Sequence, residues 1–418
     1  MPNWVETVVS SKITWAVAAG LVGYTFALLG SPIYVWLERR GAAMIQQRLG
    51  PNRRGPYGLL QLVADAIKLA LKEDIVPAGA DKWLHGFAPM ITVIVALSVF
   101  AVIPFSLDVK MFGDTFRLQI ADLNFGIIYI LAISSISVYS GTLAGWSSNN
   151  KYSLLGGLRA GAQMISYEIA MGLAVVSLLL IYNSVLISDM VIAQSGSILN
   201  WGAAKAPVAC LIFIVASFAE TNRTPFDLVE ADSELVAGYF TEYSSFKFTL
   251  FFMGEYMHMA ISSVLIATLF FGGANLPWAT AETYPALFPY LMFGTAILCV
   301  LWALDALRPK RKMVSKGNGL FAVLLIGAAA IGALLGALFL IENVASTMQN
   351  LAVLCGVLVQ LAVLTVKFAF FFWFYIWIRW TVPRFRYDQL MSLGWKVLVP
   401  LGLANIAVTA VLVIEGWL

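Results

Sequence analysis

Six carboxylates stand within 23 residues of this chain: Glu220, Asp227, Glu230, Asp232, Glu234 and Glu242, all in the stretch AETNRTPFDLVEADSELVAGYFTEY from Ala219 to Tyr243. Crowded carboxylates in a poorly hydrated place raise one another's pKa and share protons near neutral pH. Such a row can store or pass on a proton. Thr224, Pro225 and Asp227 read as a helix start, with a cap, a proline in the first turn and an acid three after the cap. Asp227, Glu230 and Glu234 then fall at i, i+3 and i+7 on one face. Two more acids sit inside apolar runs, Glu168 in QMISYEIAMGLAVV and Glu255 in FFMGEYMHMA. A charge at membrane depth costs at least ~2.5–3.5 kcal/mol and defaults to a functional reading. Snorkelling competes with that reading, since both lie about two helical turns from the end of their run. Lys367 is deeper, in AVLTVKFAFFFWFYIWIRW, and a carboxylate partner is expected for it. The plain alternative for the acidic stretch is a solvated face. Against it, the stretch is as rich in Phe, Leu, Val and Tyr as in acid.

A second unusual stretch is GPNRRGPYGLLQLVADAIKLALKED, Gly50 to Asp74. From Tyr57 onward its polar residues Gln61, Asp65, Lys68 and Lys72 recur at i, i+4, i+7 and i+11, one narrow helical face. A helix resting on lipid headgroups usually carries a broad, basic polar face. This stripe is narrow and holds both signs. It suits a helix tucked under the protein, with the stripe lining a polar cavity at the membrane edge. The glycines and prolines of RLGPNRRGPYG predict a fixed turn before it.

The elements that must position these groups are membrane helices. The chain has 418 residues, 60% hydrophobic and 12% charged, whereas soluble domains carry about 25% charged residues. Runs of about 20 apolar residues match a bilayer core of roughly 30 Å. Ten spans are predicted, near 14–37, 84–106, 125–146, 161–183, 203–219, 247–273, 286–307, 319–341, 352–378 and 397–416. The alternating pattern of a membrane barrel is absent. The first run is too long for a signal peptide and should stay as a span. With loops numbered alternately, 21 of the 26 Lys and Arg fall on one side, four on the other, and Lys367 within a span. The basic side is read as cytoplasmic and both termini as external. The chain is thus a single integral membrane domain, 1–418, with a cytoplasmic loop at 38–83 and an acidic cytoplasmic loop at 220–246.

Resident redox or nucleotide chemistry is not expected. Cys210, Cys299 and Cys355 are far apart, no CxxC occurs, and His85 and His258 make no convincing haem pair. Neither a P-loop nor a strand followed by GxGxxG is present. No bound FMN, haem, iron–sulfur cluster or metal is expected in this chain, and no nucleic-acid partner. If it takes part in redox chemistry, partners hold the cofactors. The lack of a clear internal repeat weakens a reading as an inverted-repeat transporter.

Four segments carry a family resemblance: ERRGAAMIQQRLGPNRRGPYGLLQLVADAIKLALKED, GWSSNNKYSLLGGLRAGAQMISYE, AETNRTPFDLVEADSELVAGYFTEYSSFKFTLFFMGEYMHM and RWTVPRFRYDQLMSLGWKVLVPL. They resemble the H subunit, the heel of the membrane arm, in proton-pumping NADH:quinone oxidoreductase, respiratory complex I. The likeness runs in order over nearly the whole chain. It implies an all-α polytopic fold, a quinone substrate (ubiquinone or menaquinone), a bacterial inner membrane, and a role in quinone access and proton coupling. It implies as partners the quinone-reducing subunits of the hydrophilic arm and small membrane-arm subunits. By resemblance, Glu38, Arg39, Arg48, Asp65 and Lys68 line or support the quinone tunnel. Glu220, Arg223, Asp227, Glu230, Asp232, Glu234 and Glu242 fall in a coupling loop beneath it. Glu168 and Glu255 join that loop to a path in the membrane centre, and Arg379, Arg384 and Arg386 lie on a docking face. The family usually has eight spans, so two of the ten here, with the loop RPKRKMVSKGNG, are expected to form an inserted hairpin at about 280–345. The heel subunit of a membrane-bound hydrogenase or another non-NADH relative is the nearest rival reading. A secondary transporter using Glu168 and Glu255 as proton sites is a more distant one.

Overall fold

The computed structural model describes residues 12–111, 114–228, 236–279, 283–307, 318–340 and 349–417. In chain order its main helices are α1 (Lys12–Tyr24), α2 (Gly30–Ile45), α3 (Gln61–Ala70), α4 (Lys82–Phe100), α5 (Gly126–Ser147), α6 (Lys151–Tyr182), α7 (Pro207–Glu220), α8 (Ser245–Phe270), α9 (Tyr284–Leu307), α10 (Asn318–Leu340), α11 (Gln349–Thr381), α12 (Tyr387–Ser392) and α13 (Val399–Ile414). A π-helical turn, Thr25–Leu29, joins α1 to α2. Among the described residues, eight helical segments are long and apolar enough to cross a membrane, and the shorter apolar helices Pro207–Glu220 and Phe321–Ala337 occupy the fifth and eighth of the ten predicted places. The protein is an all-α polytopic membrane protein, as the spacing of apolar runs predicts.

The boundaries follow local chemistry. Asp81 caps α4, its side chain accepting from the amides of Trp83 and Leu84, and Asn150 caps α6 by accepting from Tyr152. α6 therefore begins ten residues before its apolar run. It ends at Asn183, which adopts the left-handed conformation at φ 47°. The loop after α4 holds a two-stranded ribbon, Val109–Met111 with Asp114–Phe116, which the apolar pattern does not reveal. Beside it Arg117 binds Asp108 at 2.8 Å and Asp122 at 3.1 Å.

Helix α8 lies at the centre of the bundle, buried along most of its length and packed on α2, α4, α7 and α11. Helices α5 and α6 approach each other closely. A Cβ at Gly145 would come within 2.4 Å of the Ser153 carbonyl, and one at Gly157 within 2.6 Å of the Gly141 carbonyl. Small residues at this contact let the backbones meet, the usual solution where lipid supplies no hydrophobic drive between helices.

α9 and α10 form an antiparallel hairpin. Trp302 of α9 meets Phe321 of α10 at one end, 5.5 Å between ring centroids, and Phe288 meets Phe339 at the other, 5.1 Å. α9 also packs on α11. Lys367, on α11, binds carbonyls where a carboxylate partner was expected. Its Nζ donates to the carbonyls of Phe271, Gly273 and Asn275 at 2.7, 2.9 and 2.6 Å, and it lies 5.0 Å from the Trp201 ring. Three N–H donors meet three acceptors in the turn that follows α8.

Candidate functional site: an apolar cavity joined to a line of charges

The turn before α3 is fixed in the way its glycines and prolines predict. Gly55 and Gly58 adopt φ of 71° and 76°, and a Cβ at Gly58 would meet the Pro51 carbonyl at 2.2 Å. Tyr57 between them is also left-handed, at φ 53°. Its hydroxyl donates to Asp305 of α9 at 2.9 Å, and its carbonyl accepts from the Trp36 indole at 3.0 Å. The sequence offers no signal for Asp305, because the contact spans 248 residues.

From this turn α3 runs along the edge of the bundle. Leu60, Val63, Ile67 and Leu71 are exposed on its outer side. Its inner side closes a cavity of about 330 Å³ against α2 and α8, and Arg39, Asp65, Lys68, Phe252, Met253 and Tyr256 are among its lining residues. Most of the wall is apolar. Asp65 binds Arg39 and accepts from Gln61 at 2.9 Å. Two of the four stripe residues, Asp65 and Lys68, thus face the cavity, while Lys72 lies beyond the helix end. A largely apolar cavity of this size with a few placed polar groups can bury a ring-bearing apolar ligand.

Beyond Tyr256 the charges form a connected set. The Tyr256 hydroxyl donates to Glu38 at 2.5 Å, and Glu38 also binds Arg379 at the end of α11. Glu38 is buried, so both contacts matter to holding its charge there. Arg223 lies over the Tyr256 ring at 4.5 Å and the Phe252 ring at 5.3 Å, and pairs with Glu255 at 3.0 Å. One aromatic side chain therefore touches the cavity, a buried carboxylate and a buried guanidinium. Tyr256 is a candidate functional residue that the acids alone do not disclose, although its place beside Glu255 in the sequence is a signal.

Glu255 borders a small internal cavity of about 20 Å³ shared with Glu220, Asn222 and His258. Glu220 and His258 also border a second cavity of about 20 Å³, which extends to Ser134 and Ser262. Glu168, on α6, accepts from Ser135 of α5, the residue next to Ser134. Glu38, Arg223, Glu255 and Glu220 are thus drawn into one region, with Glu168 at its far edge.

The acidic loop differs from the predicted helix start. Residues 221–228 form turns, not a helix, and the Thr224–Pro225 peptide is cis. Tertiary partners take the backbone groups a helix would need. Gln163 Nε2 donates to the carbonyls of Ala219 and Phe226 at 2.8 and 2.9 Å, and the Phe385 amide donates to the Pro225 carbonyl at 3.1 Å. Asp227 is buried and binds Arg384 at 3.0 Å. Glu230, Asp232 and Glu234 lie outside the described residues. Glu242 stands apart from the line, accepting from Asn150 at 2.6 Å, and neighbouring Tyr243 is pushed up to about 12 by burial. Arg48 donates locally, to Gln46 at 2.6 Å, and does not line the large cavity. Arg386 is exposed at the start of α12. Among the described residues no group of His, Cys, Asp and Glu could hold a metal ion.

Comparison with known proteins bears on this arrangement. Residues 18–410 match the family described as NADH dehydrogenase. The H subunit of NADH-quinone oxidoreductase from Salinibacter ruber is 43% identical over 396 residues, 94% of each chain. An H subunit of NADH-quinone oxidoreductase from Solibacter usitatus is 44% identical over 408 residues, 96% of each chain. NADH-quinone oxidoreductase subunit 8 of Rhodothermus marinus is 44% identical over 398 residues, 95% of this chain and 96% of the relative.

Proposed function

From the premise that the chain belongs to the H-subunit family of NADH-quinone oxidoreductase, we propose that it forms the membrane mouth of a quinone tunnel and couples quinone reduction to proton translocation. The observation that carries this reading is Tyr256. It lines the 330 Å³ cavity, bonds Glu38, and lies against the Arg223–Glu255 pair. A long-tailed quinone must pass from lipid to a reductant held by a partner subunit. The outer face of α3 meets lipid and tail, and its inner stripe, Asp65 and Lys68, meets the head group. Reduction takes two electrons from that partner and two protons. It changes charge beside Arg39, Glu38 and Tyr256, and the Arg223–Glu255 pair answers by shifting position or proton affinity. Glu220 and Glu168 pass the disturbance inward. Asp227 with Arg384 ties the acidic loop, and Glu38 with Arg379 ties α2, to the cytoplasmic end of α11 and the segment after it, where Arg386 is exposed for a hydrophilic-arm subunit. The same reading places both termini outside a bacterial inner membrane and makes the chain inert when alone. The α9–α10 hairpin is an addition to the family core that braces the turn before α3 through Asp305.

The test is Asp65→Leu in the assembled complex. Arg39 is half exposed, so losing the pair costs stability only about 0–1 kcal/mol, and assembly should survive. Quinone reduction should fall while artificial-acceptor reduction by the soluble arm is unchanged. Wild-type quinone kinetics in that variant would remove the stripe from the path.

A further inference from the structure

We propose that His258 is a positioning residue that bridges the two small internal cavities, holding water on each side so that Glu255 and Glu220 are joined to the deeper part of the membrane. The proposal rests on the coupling reading above and extends it to a residue that reading does not use. His258 is one turn beyond Glu255 on the fully enclosed part of α8 and is 7% exposed. Its Nε2 is buried and has no protein hydrogen-bond partner among the described residues. It lines both cavities, and so does Glu220.

Several facts converge on water. Each cavity, at about 20 Å³, exceeds the roughly 10–15 Å³ needed to hold one molecule. Each also has the polar lining a water requires: Glu255, Asn222 and Ser137 on one side, and Ser134 and Ser262 on the other. A buried polar atom without a partner is costly, and ordered water is its usual remedy. A neutral imidazole nitrogen can accept from or donate to such a water. A proton leaving Glu255 would pass through water to Glu220 and onward past Ser134. Each water gains one proton and loses another, and the imidazole ends in the protonation state in which it began. His258 thus acts through the waters it orients.

The experiment compares His258→Leu, His258→Asn and Glu255→Gln in assembled complexes in vesicles, with artificial-acceptor reduction as the check on assembly. His258→Leu should lower quinone-linked turnover and gradient formation about tenfold or more with quinone KM unchanged. His258→Asn, which keeps a polar group in the gap, should retain most of both. If Leu prevents assembly, His258→Met, apolar and flexible, replaces it with the same expectation. Wild-type rates in the apolar variant would overturn the bridge, and so would an Asn variant as impaired as the apolar one. Normal rates in Glu255→Gln would instead overturn the coupling reading beneath it. An impaired Glu255→Gln beside a normal apolar variant would sink the bridge alone.

Discussion

The Arg223–Glu255 pair offers the sharpest perturbation. The two side chains are 4% and 9% exposed and 3.0 Å apart. Removing one member of a buried pair leaves an uncompensated charge and costs about 3–5 kcal/mol, whereas replacing both by neutral groups of similar volume is nearly neutral. At 1.4 kcal/mol per factor of ten, the single change shifts the folded population by about a hundred- to several-thousandfold. The two single variants are not equivalent. In Arg223→Gln the carboxylate is left buried, and the stacking on Tyr256 and Phe252, worth about 0.5–2 kcal/mol, is also lost. In Glu255→Gln the guanidinium keeps both rings. Both single variants should therefore assemble less well than the wild type, and Arg223→Gln less well than Glu255→Gln. The double variant should regain assembly, yet neither it nor Glu255→Gln should regain quinone-linked turnover or a pH gradient, because glutamine cannot ionise. The assay is NADH:quinone activity and gradient formation in vesicles, normalised to artificial-acceptor activity, with thermal unfolding of each complex. A double variant that assembles and pumps at the wild-type rate would refute the reasoning, since the pair would then serve the fold alone.

Topology is open to direct labelling. In a cysteine-free background, Lys151→Cys should react from the cytoplasmic side of sealed vesicles and Ser195→Cys from the other, and labelling of both from one side would end the ten-span arrangement. Lys367→Met should lower the thermal midpoint of the complex, because three carbonyls lose a charged donor at a cost of about 3 kcal/mol. Turnover per assembled complex should stay normal, and a large loss of turnover would show that this lysine belongs to the charge line.

How much is legible in the sequence depends on the range of the interaction. Ten apolar runs and the stripe on α3 are local patterns; the structure carries the runs, and of the stripe Asp65 and Lys68 face the cavity. The acidity of the loop is equally visible, but its shape is not. The Thr–Pro–Phe–Asp signature suits a helix start, yet residues 221–228 form turns, and Gln163, 63 residues from Phe226, binds a backbone acceptor there. The partner of Lys367 escapes for a related reason. A lysine in a span calls for acceptors, and residue types cannot reveal that a turn supplies three carbonyls. The candidate residues that the sequence does not disclose are hydrogen-bonding neighbours, Tyr256, Ser135 and Asp305, which stand out only through what folding sets against them.

The contacts that complete the cavity mouth also impose an order in time. Glu38 waits for Arg379, 341 residues downstream, and Tyr57 waits for Asp305, 248 downstream. As the ribosome works from the N-terminus, α2 and α3 are made early and stay without these partners until α9 and then α11 emerge. A truncated or stalled chain therefore has no finished mouth, whatever its first helices have achieved. Quality control can read the arrival of α9 from a single property, the protection of the turn around Tyr57. A nascent chain that still exposes that turn has not yet been fully translated and inserted.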